Sequence, residues 1–337
     1  GTLQLSLFGD PRPIIRRTTP DVYAMYLRAL FNYRSLDANS YELAVTELEQ
    51  ALELDPDYAP AWTLLSSVLQ NQAIIGARDF RDANETALSS IERALNIDPN
   101  YAYAIASRAW LAMNYERDYA AAALYYKRAI ELAPNEPTIL ANSGVLARTL
   151  GRTERAIELT NRGLDLNPVN ASGFSNLSDQ LYQARRFSDA IAAAQRSLEI
   201  APGNPTGFVN LAAAQLFAEN PAATLELAES FNIAFYRLFF SALAFFDLDR
   251  HSEANAALSS LITDFATQRA AYIAAIYAYR GENDEAFQWL QRAIDERQRV
   301  PSMRTEPLFE SLRDDPRWVR ILEHLGLSDA QVAGIDV

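Results

Sequence analysis

The sequence predicts an all-α fold, an α-solenoid of about eight helical hairpins closed by a C-terminal capping helix. Three observations lead there. A phrase recurs, reading ALELDPDYAPAW from Ala51, ALNIDPNYAYAI from Ala94, AIELAPNEPTIL from Ala129, GLDLNPVNASGF from Gly163 and SLEIAPGNPTGF from Ser197. Its prolines Pro56, Pro99, Pro134, Pro168 and Pro202 follow one another at 43, 35, 34 and 34 residues. The alanines Ala44, Ala87, Ala122, Ala156 and Ala190 each stand 12 residues ahead of one of those prolines. Finally, Ser66, Ala109, Gly144, Ser178 and Ala212 hold one shared position in successive units, where a large side chain would keep paired helices apart.

Each period reads as two helices and a short turn. In the fourth unit Leu140, Val145, Ala147 and Leu150 mark a helix over Thr138 to Leu150, Gly151 stops it, and Thr153 to Leu166 forms the second with Ala156, Ile157, Leu159, Leu164 and Leu166. The proline then ends that helix, because it lacks the backbone donor and disfavours helix in the residue before it. The unit near Tyr23 to Ala51 keeps the second-helix pattern but not the first-helix spacing. The 43-residue spacing implies about nine extra residues, expected as an extended turn near Asn71 to Asp82, around Gly76. Beyond Pro202 the proline is lost, yet GRTERA at Ala156 and RRFSDA at Ala190 are echoed by DRHSEA at Ala254 and GENDEA at Ala286, so two further units with shorter helices fit. Phe231 to Phe246 is apolar on nearly every face and reads as a core helix, with an exposed binding patch as the alternative. At the end, Asp315 caps a helix, Pro316 opens it, Trp318, Ile321, Leu322 and Leu325 form its stripe, and Gly326 stops it. The segments are thus 1–20, a linker or the stub of a preceding domain; 21–215, well-matched hairpins; 216–300, degenerate hairpins; and 301–337, cap and tail.

The 34-residue hairpin resembles the tetratricopeptide repeat (TPR) family, which implies a right-handed superhelix. That family's first helix carries an aromatic or large apolar residue, then Leu, then a small residue; here Trp62, Leu65 and Ser66, then Phe174, Leu177 and Ser178, then Phe208, Leu211 and Ala212 fill those slots. The two ends together, LQLSLFGDPRPIIRRTTPDVYAMYLRALFNYRS and EPLFESLRDDPRWVRILEHLGL, resemble the TolB-like and TPR tail of bacterial signalling proteins. In those, an adenylate or guanylate cyclase or a winged-helix regulator precedes the tail. That resemblance implies an excised piece, starting at Gly1 without a Met, and a place either in the cytoplasm or on the periplasmic face of an inner-membrane protein.

Composition narrows the chemistry. The chain has 337 residues, 49% hydrophobic and 22% charged, with a formal net charge of −13. That charge opposes direct nucleic-acid binding, which depends on clustered cations. There is no cysteine and only His251 and His324 as imidazoles, which removes disulfides, thiolate metal sites and cysteine nucleophiles. The nearly continuous apolar stretch Leu238 to Phe246 falls far short of the roughly 20 residues that span a bilayer, so no membrane insertion is expected. Asp247, Asp249, His251 and Glu253 alternate suggestively, but the tight glycine and distal glutamate of a calcium loop are missing, and a polar turn is the plainer reading. Neither GxGxxG nor GxxxxGK[ST] occurs. No metal, cofactor or catalytic residue is expected.

The informative series is Asn142, Asn176 and Asn210, spaced 34 residues apart, two positions before the small residue of the first helix. One amide offers both a donor and an acceptor, which is what a peptide unit needs. In TPR proteins, including the TPR part of O-linked N-acetylglucosamine transferases, asparagines at this slot contact bound peptide in the concave groove. The alternative is bonding between neighbouring helices. By the same resemblance Tyr103, Trp110, Arg148, Asp179 and Tyr182 line the groove, or else pack helix to helix. Lysines of the kind that clamp a terminal carboxylate in chaperone-tail-binding TPRs are missing here, and Arg148 alone does not replace them. The expected partner is a peptide or protein, or a second copy of the chain forming a homodimer.

Overall fold

The computed structural model describes residues 18–34, 38–75, 77–231, 233–296, 298, 300 and 302–337, so most of the expected N-terminal stub lies outside them. The described residues form antiparallel helical hairpins in sequence order, in two compact units that divide between Asn142 and Ser143.

The first unit contains α1 (Pro20–Tyr33), α2 (Ala38–Leu54), α3 (Ala59–Ile75), α4 (Phe80–Ile97), α5 (Ala102–Leu111), a π turn (Ala112–Glu116) and α6 (Tyr119–Leu132). Thr19 caps α1, its hydroxyl accepting from the Val22 N–H, with Pro20 in the first turn where no donor is needed. Val22, Ala29, Tyr41, Leu48, Leu65, Val68, Leu69 and Ile91 form its core.

The expected extended turn near Gly76 is corrected; Gly76 itself lies outside the described residues. Helix α3 runs on to Ile75 with 17 residues and α4 begins at Phe80 with 18, against 13 and 14 in the regular hairpin that follows. Each helix thus gains four residues and the turn gains one. Four residues are close to one α-helical turn, so both apolar faces keep their direction. Two antiparallel helices lengthened equally still meet at a tight turn, capped by Asp79, whose carboxylate accepts from the Arg81 and Asp82 N–H groups. The 35-residue spacing has a similar cause: Ala112–Glu116 winds as a π turn, which takes up an extra residue without breaking the helix.

The second unit holds the remainder of α7 (Pro137–Thr149), then α8 (Thr153–Leu166), α9 (Ala171–Gln183), α10 (Phe187–Ile200), α11 (Pro205–Phe217), α12 (Pro221–Ser230), α13 (Ala234–Asp247), α14 (His251–Tyr279) and α15 (Asn283–Asp295). A 3-10 turn (Pro307–Leu312), α16 (Pro316–His324) and α17 (Asp329–Val332) close it. The missing echo between Ala190 and Ala254 is Thr224, fully buried in α12 at the alanine position. Helix α14 breaks at Arg269 (φ −136°, ψ 28°) into the halves of two hairpins. Gln298 satisfies the break: its amide oxygen accepts from the Ala270 N–H at 2.7 Å, and its nitrogen donates to the Ala266 carbonyl at 3.2 Å. Counting the halves separately, eight hairpins occur among the described residues. Phe235, Phe239 and Phe240 of α13 are buried, the first two against Tyr272 at 5.2 and 5.7 Å, as the core reading expected.

Chain breaks follow local chemistry. Helices α4, α6, α8 and α10 each end two residues before a repeat proline. The residue in between is extended, at φ −135° to −141°, as the proline ring requires. Inside the hairpins a left-handed residue ends the first helix: Arg117, Gly151, Arg185, Glu219, Asp249 and Gly281 have φ of 56° to 80°. In the turn at Gly151 the Arg152 N–H donates back to the Ala147 carbonyl at 2.8 Å, and the Arg185, Glu219, Asp249 and Gly281 turns close in the same way.

Along each hairpin runs a seam of small residues. Ala44, Ala87, Ala122, Ala156, Ala190, Ala254 and Ala286 are fully buried, as are Ser66, Ala109, Ser178 and Ala212. The Ser178 hydroxyl donates to the Ala190 carbonyl at 2.7 Å, and the Thr224 hydroxyl donates to the Ala212 carbonyl at 3.1 Å. A Cβ added at Gly144 would stand 3.2 Å from the Ala156 carbonyl oxygen. Replacing Ala190 by Leu is expected to cost roughly 1–3 kcal/mol through overpacking, read as a lowered Tm, whereas Gln195→Leu, on the exposed face of the same helix, leaves Tm little changed. Equal melting of the two variants would contradict a close seam.

Candidate functional site

In the first unit, Tyr103 and Trp110 stand seven residues apart and so share one face of α5. The Tyr103 ring lies 5.7 Å from that of Tyr101 with 38% of the residue exposed, and Trp110 is partly exposed. Asn142 is partly exposed in α7. In the second unit, Asn176, Asp179, Tyr182 and Gln183 lie along α9. Arg148, near the end of α7, forms an ion pair with Asp179, which also accepts from the Gln183 amide nitrogen at 3.1 Å.

The three asparagines differ in use. Asn210 donates to the Ser175 carbonyl of α9 at 2.7 Å. It joins a buried polar cluster in which the Ser175 and Ser197 hydroxyls are 2.9 Å apart and Asn204 donates to both. Asn210 therefore performs the helix-to-helix bonding that was the alternative reading. Among the described residues the side-chain amides of Asn142 and Asn176 have no hydrogen-bond partner, and both residues are partly exposed.

Arg148, Asp179 and Tyr182 come together, but not around an open groove. The segment between α15 and α16 comes back to α9. Tyr182, 4% exposed, donates its hydroxyl to the Glu306 carboxylate at 2.6 Å. Thr305 donates to the Gln183 amide oxygen, and Arg185 pairs with Glu310. Apolar anchors hold the segment on its other side, with Met303, Phe309 and Leu312 fully buried and Phe309 against Trp318 at 5.6 Å. Gly151 is needed twice over. Its φ is 80°, and a Cβ there would stand 2.9 Å from Nε of Arg304, which donates onward to the Leu327 carbonyl and to Asp329.

The expected role of 301–337 is therefore only half of what that segment does. As expected, α16 covers the last hairpin: Arg317 lies 4.2 Å from the centre of the Phe287 ring and pairs with Asp284 at 2.8 Å, both on α15, and Asp315 caps the helix. The stretch before it bonds to Tyr182, one of the residues read as peptide contacts. The only local signal for this was a glutamate beside a proline and two large apolar residues, in Glu306-Pro307-Leu308-Phe309.

The electrostatics of the contact are unusual. Burial, foremost, pushes the Glu306 carboxyl up to about 7, with the Asp179 charge adding to it. The Tyr182 hydroxyl, the Leu308 N–H and Arg148 oppose that shift. Burial and the same carboxylate raise Tyr182 well above the ordinary phenol value. Two grooves are marked by their linings. One is lined by Phe287, Ile294, Arg317, Ile321 and His324, the other by Pro56, Arg93 and Ile97. Among the described residues no group of three His, Cys, Asp or Glu side chains is placed to hold a metal ion. In the acidic turn the Asp247 carboxylate accepts from Tyr279 at 2.7 Å, and Asp249 takes the left-handed conformation that closes the hairpin. No described helix is long and apolar enough to cross a membrane.

Residues 108–171 and 142–205 match a tetratricopeptide repeat family model, and residues 36–58 match a second. These matches support the tetratricopeptide repeat family, and the array of hairpins is an α-solenoid. No curated protein sequence matches the chain. Among solved structures, the chain is similar to a monomeric mutant of IFIT1 with Gppp-AAAA at 14% identity and TM-score 0.59, over 81% of this chain and 71% of that one. It is similar to the human IFIT1 dimer with PPP-AAAA at 15% identity and TM-score 0.53, over 76% and 69% of the two chains. A thermophilic TPR protein of Thermus thermophilus aligns at 20% identity and TM-score 0.46, over 58% and 99%. At these identities the likeness concerns the fold.

The different uses of the asparagines have a measurable consequence. Asn210→Ala removes the bond to the Ser175 carbonyl, which keeps only its bond within α9, and is expected to cost about 1 kcal/mol of stability, while Asn176→Ala leaves thermal unfolding unchanged. Equal losses would contradict the assignment.

Proposed function

We propose that the chain is a non-catalytic protein-interaction module whose inner helical faces bind a peptide. The observation that carries this is the face of α9 where Gln183, Tyr182 and Arg185 already hold the side chains of Thr305 and Glu306, just before the 3-10 turn, and of Glu310 within it. A surface that grips a short stretch of its own chain through side-chain bonds has the chemistry to grip another. The unused amide of Asn176 adds a donor and an acceptor for a peptide unit. In the first unit, Tyr103, Trp110 and Asn142 offer two aromatic surfaces and an amide. The motifs at the two ends of the chain, which resemble those of bacterial signalling proteins, are the support for reading such a module as the C-terminal part of one.

A library of 12-residue peptides selected on the intact chain tests the reading. Tyr103→Ala with Trp110→Ala, and separately Asn176→Ala, are expected to weaken some of the selected peptides at least tenfold at unchanged helicity. Unchanged affinity for every peptide in both variants overturns it.

Self-association is the second reading, favoured by a stripe on α1. Tyr23, Leu27 and Phe31 recur every four residues and are 47%, 44% and 74% exposed, a solvent-facing apolar row on the helix that opens the described chain. If this stripe pairs two copies, light scattering gives a concentration-dependent dimer that Phe31→Glu abolishes. A monomer at all concentrations removes the reading.

A further inference from the structure

We infer that the contact of Glu306 with Tyr182 is a proton-operated latch, which holds Thr305 and Glu306 against α9 when Glu306 is neutral and lets those two residues lift away when it is charged. This deepens the peptide-binding reading, on which its functional meaning rests: these residues hold Tyr182 and Gln183, and their release would free both side chains.

Geometry carries the inference. Glu306 joins elements 124 residues apart in sequence, and its carboxyl meets a phenol rather than a cation. The charged and titratable groups around it are few. From α9 come Asp179 and Tyr182, from α7 comes Arg148, and Tyr279 of α14 stands behind Tyr182. On its own segment Arg313 donates to the Glu306 backbone carbonyl at 3.2 Å, so that guanidinium is directed to the peptide group. Arg148, whose charge opposes the upward shift of Glu306, is already paired with Asp179. Ionising Glu306 therefore adds a second negative charge beside Asp179 with one arginine for both, at a half-buried site where the Arg148 and Asp179 side chains keep 19% and 29% of their surface exposed. The other grips, Thr305 to Gln183 and Arg185 to Glu310, are a neutral bond and an exposed ion pair, each worth little beside that cost.

The sign follows from the upward shift. Lifted, Glu306 titrates in the ordinary carboxylate range near 4.5; latched, it titrates at about 7. The latched state binds the extra proton, so its advantage is complete below about 4.5 and is lost progressively up to about 7. Within that window each pH unit weakens the latch by up to about tenfold. The anchors Met303, Phe309 and Leu312 do not titrate, so release is local to the stretch ahead of the α16 cap.

Amide hydrogen exchange on the intact chain, with no ligand added, tests the latch separately from peptide binding. Three reporters are the N–H groups of Thr305 and Glu306, which both donate to the Ser302 carbonyl, and of Phe309, which donates to the Glu306 carbonyl. After correction for intrinsic exchange, their protection is expected to fall at least tenfold between pH 5 and pH 8, while amides of α3 and α4 show no such fall. Glu306→Gln, a neutral side chain of the same shape, should hold its protection across that range. Asp179→Asn should move the midpoint to lower pH by removing the neighbouring charge. A flat wild-type profile, or the same slope in Glu306→Gln, overturns the latch and leaves the peptide-binding reading standing. A normal latch with no selected peptide bound would do the reverse.

Discussion

Everything in this chain depends on how closely two helices of a hairpin can approach. The 12-residue relation between small residues, from Gly144 to Ala156 and from Ser178 to Ala190, puts one main chain against another with almost nothing between. Side-chain hydroxyls of Ser178 and Thr224 bond directly to carbonyls of the facing helix, which is possible only at that distance. With the separation fixed inside each hairpin, larger residues at flanking positions, such as Leu65, Leu69 and Ile91, fill the space to the next one. Length can then vary freely. One extra turn in both α3 and α4 leaves the seam in register, and one extra residue is absorbed by the π turn after α5.

Order along the chain comes from two devices that alternate. A proline ends the second helix through the residue before it, forced into an extended backbone, and a left-handed residue ends the first through bonds back to its last carbonyls. Where the proline is lost, tertiary bonding replaces it. The break in α14 at Arg269 has no proline or glycine, and Gln298 supplies the missing donor and acceptor from another part of the chain. This is why the hairpin rhythm persists through a region whose sequence no longer displays its punctuation.

The second unit spends part of its inner face on itself. Arg148, Asp179, Tyr182 and Gln183 are set on α7 and α9 by the repeat, but what they meet is set by the course of the chain after α15. A carboxyl against a phenol, beside another carboxyl with one arginine to share, is a poor arrangement for stability and a good one for response to protons. A cap that had only to cover α15 would not need it, since α16 already meets α15 through Arg317.

The hairpins, their breaks and the small seam were legible from sequence because each rests on interactions within a few tens of residues that recur at a fixed period. The cap helix was legible for the same reason: Asp315, Pro316 and Gly326 act on their own turn. The left-handed residues were legible at Gly151 but not at Arg117, Arg185, Glu219 or Asp249, where the side chain carries no sign of the backbone it adopts. The extra nine residues of the 43-residue spacing were visible, but not their division between two helices. Among the site residues, sequence placed Arg148 and Tyr182 at equivalent slots of α7 and α9, with Asp179 three residues ahead of Tyr182; it left open whether each asparagine bonds a ligand or a helix, and only Asn210 has its answer in the fold. Sequence alone determined that this chain is a series of close-packed helical hairpins, since the period and the small residues are local instructions. Only the tertiary structure decided that Glu306 meets Tyr182, because a contact across 124 residues depends on where the accumulated hairpins deliver the chain end.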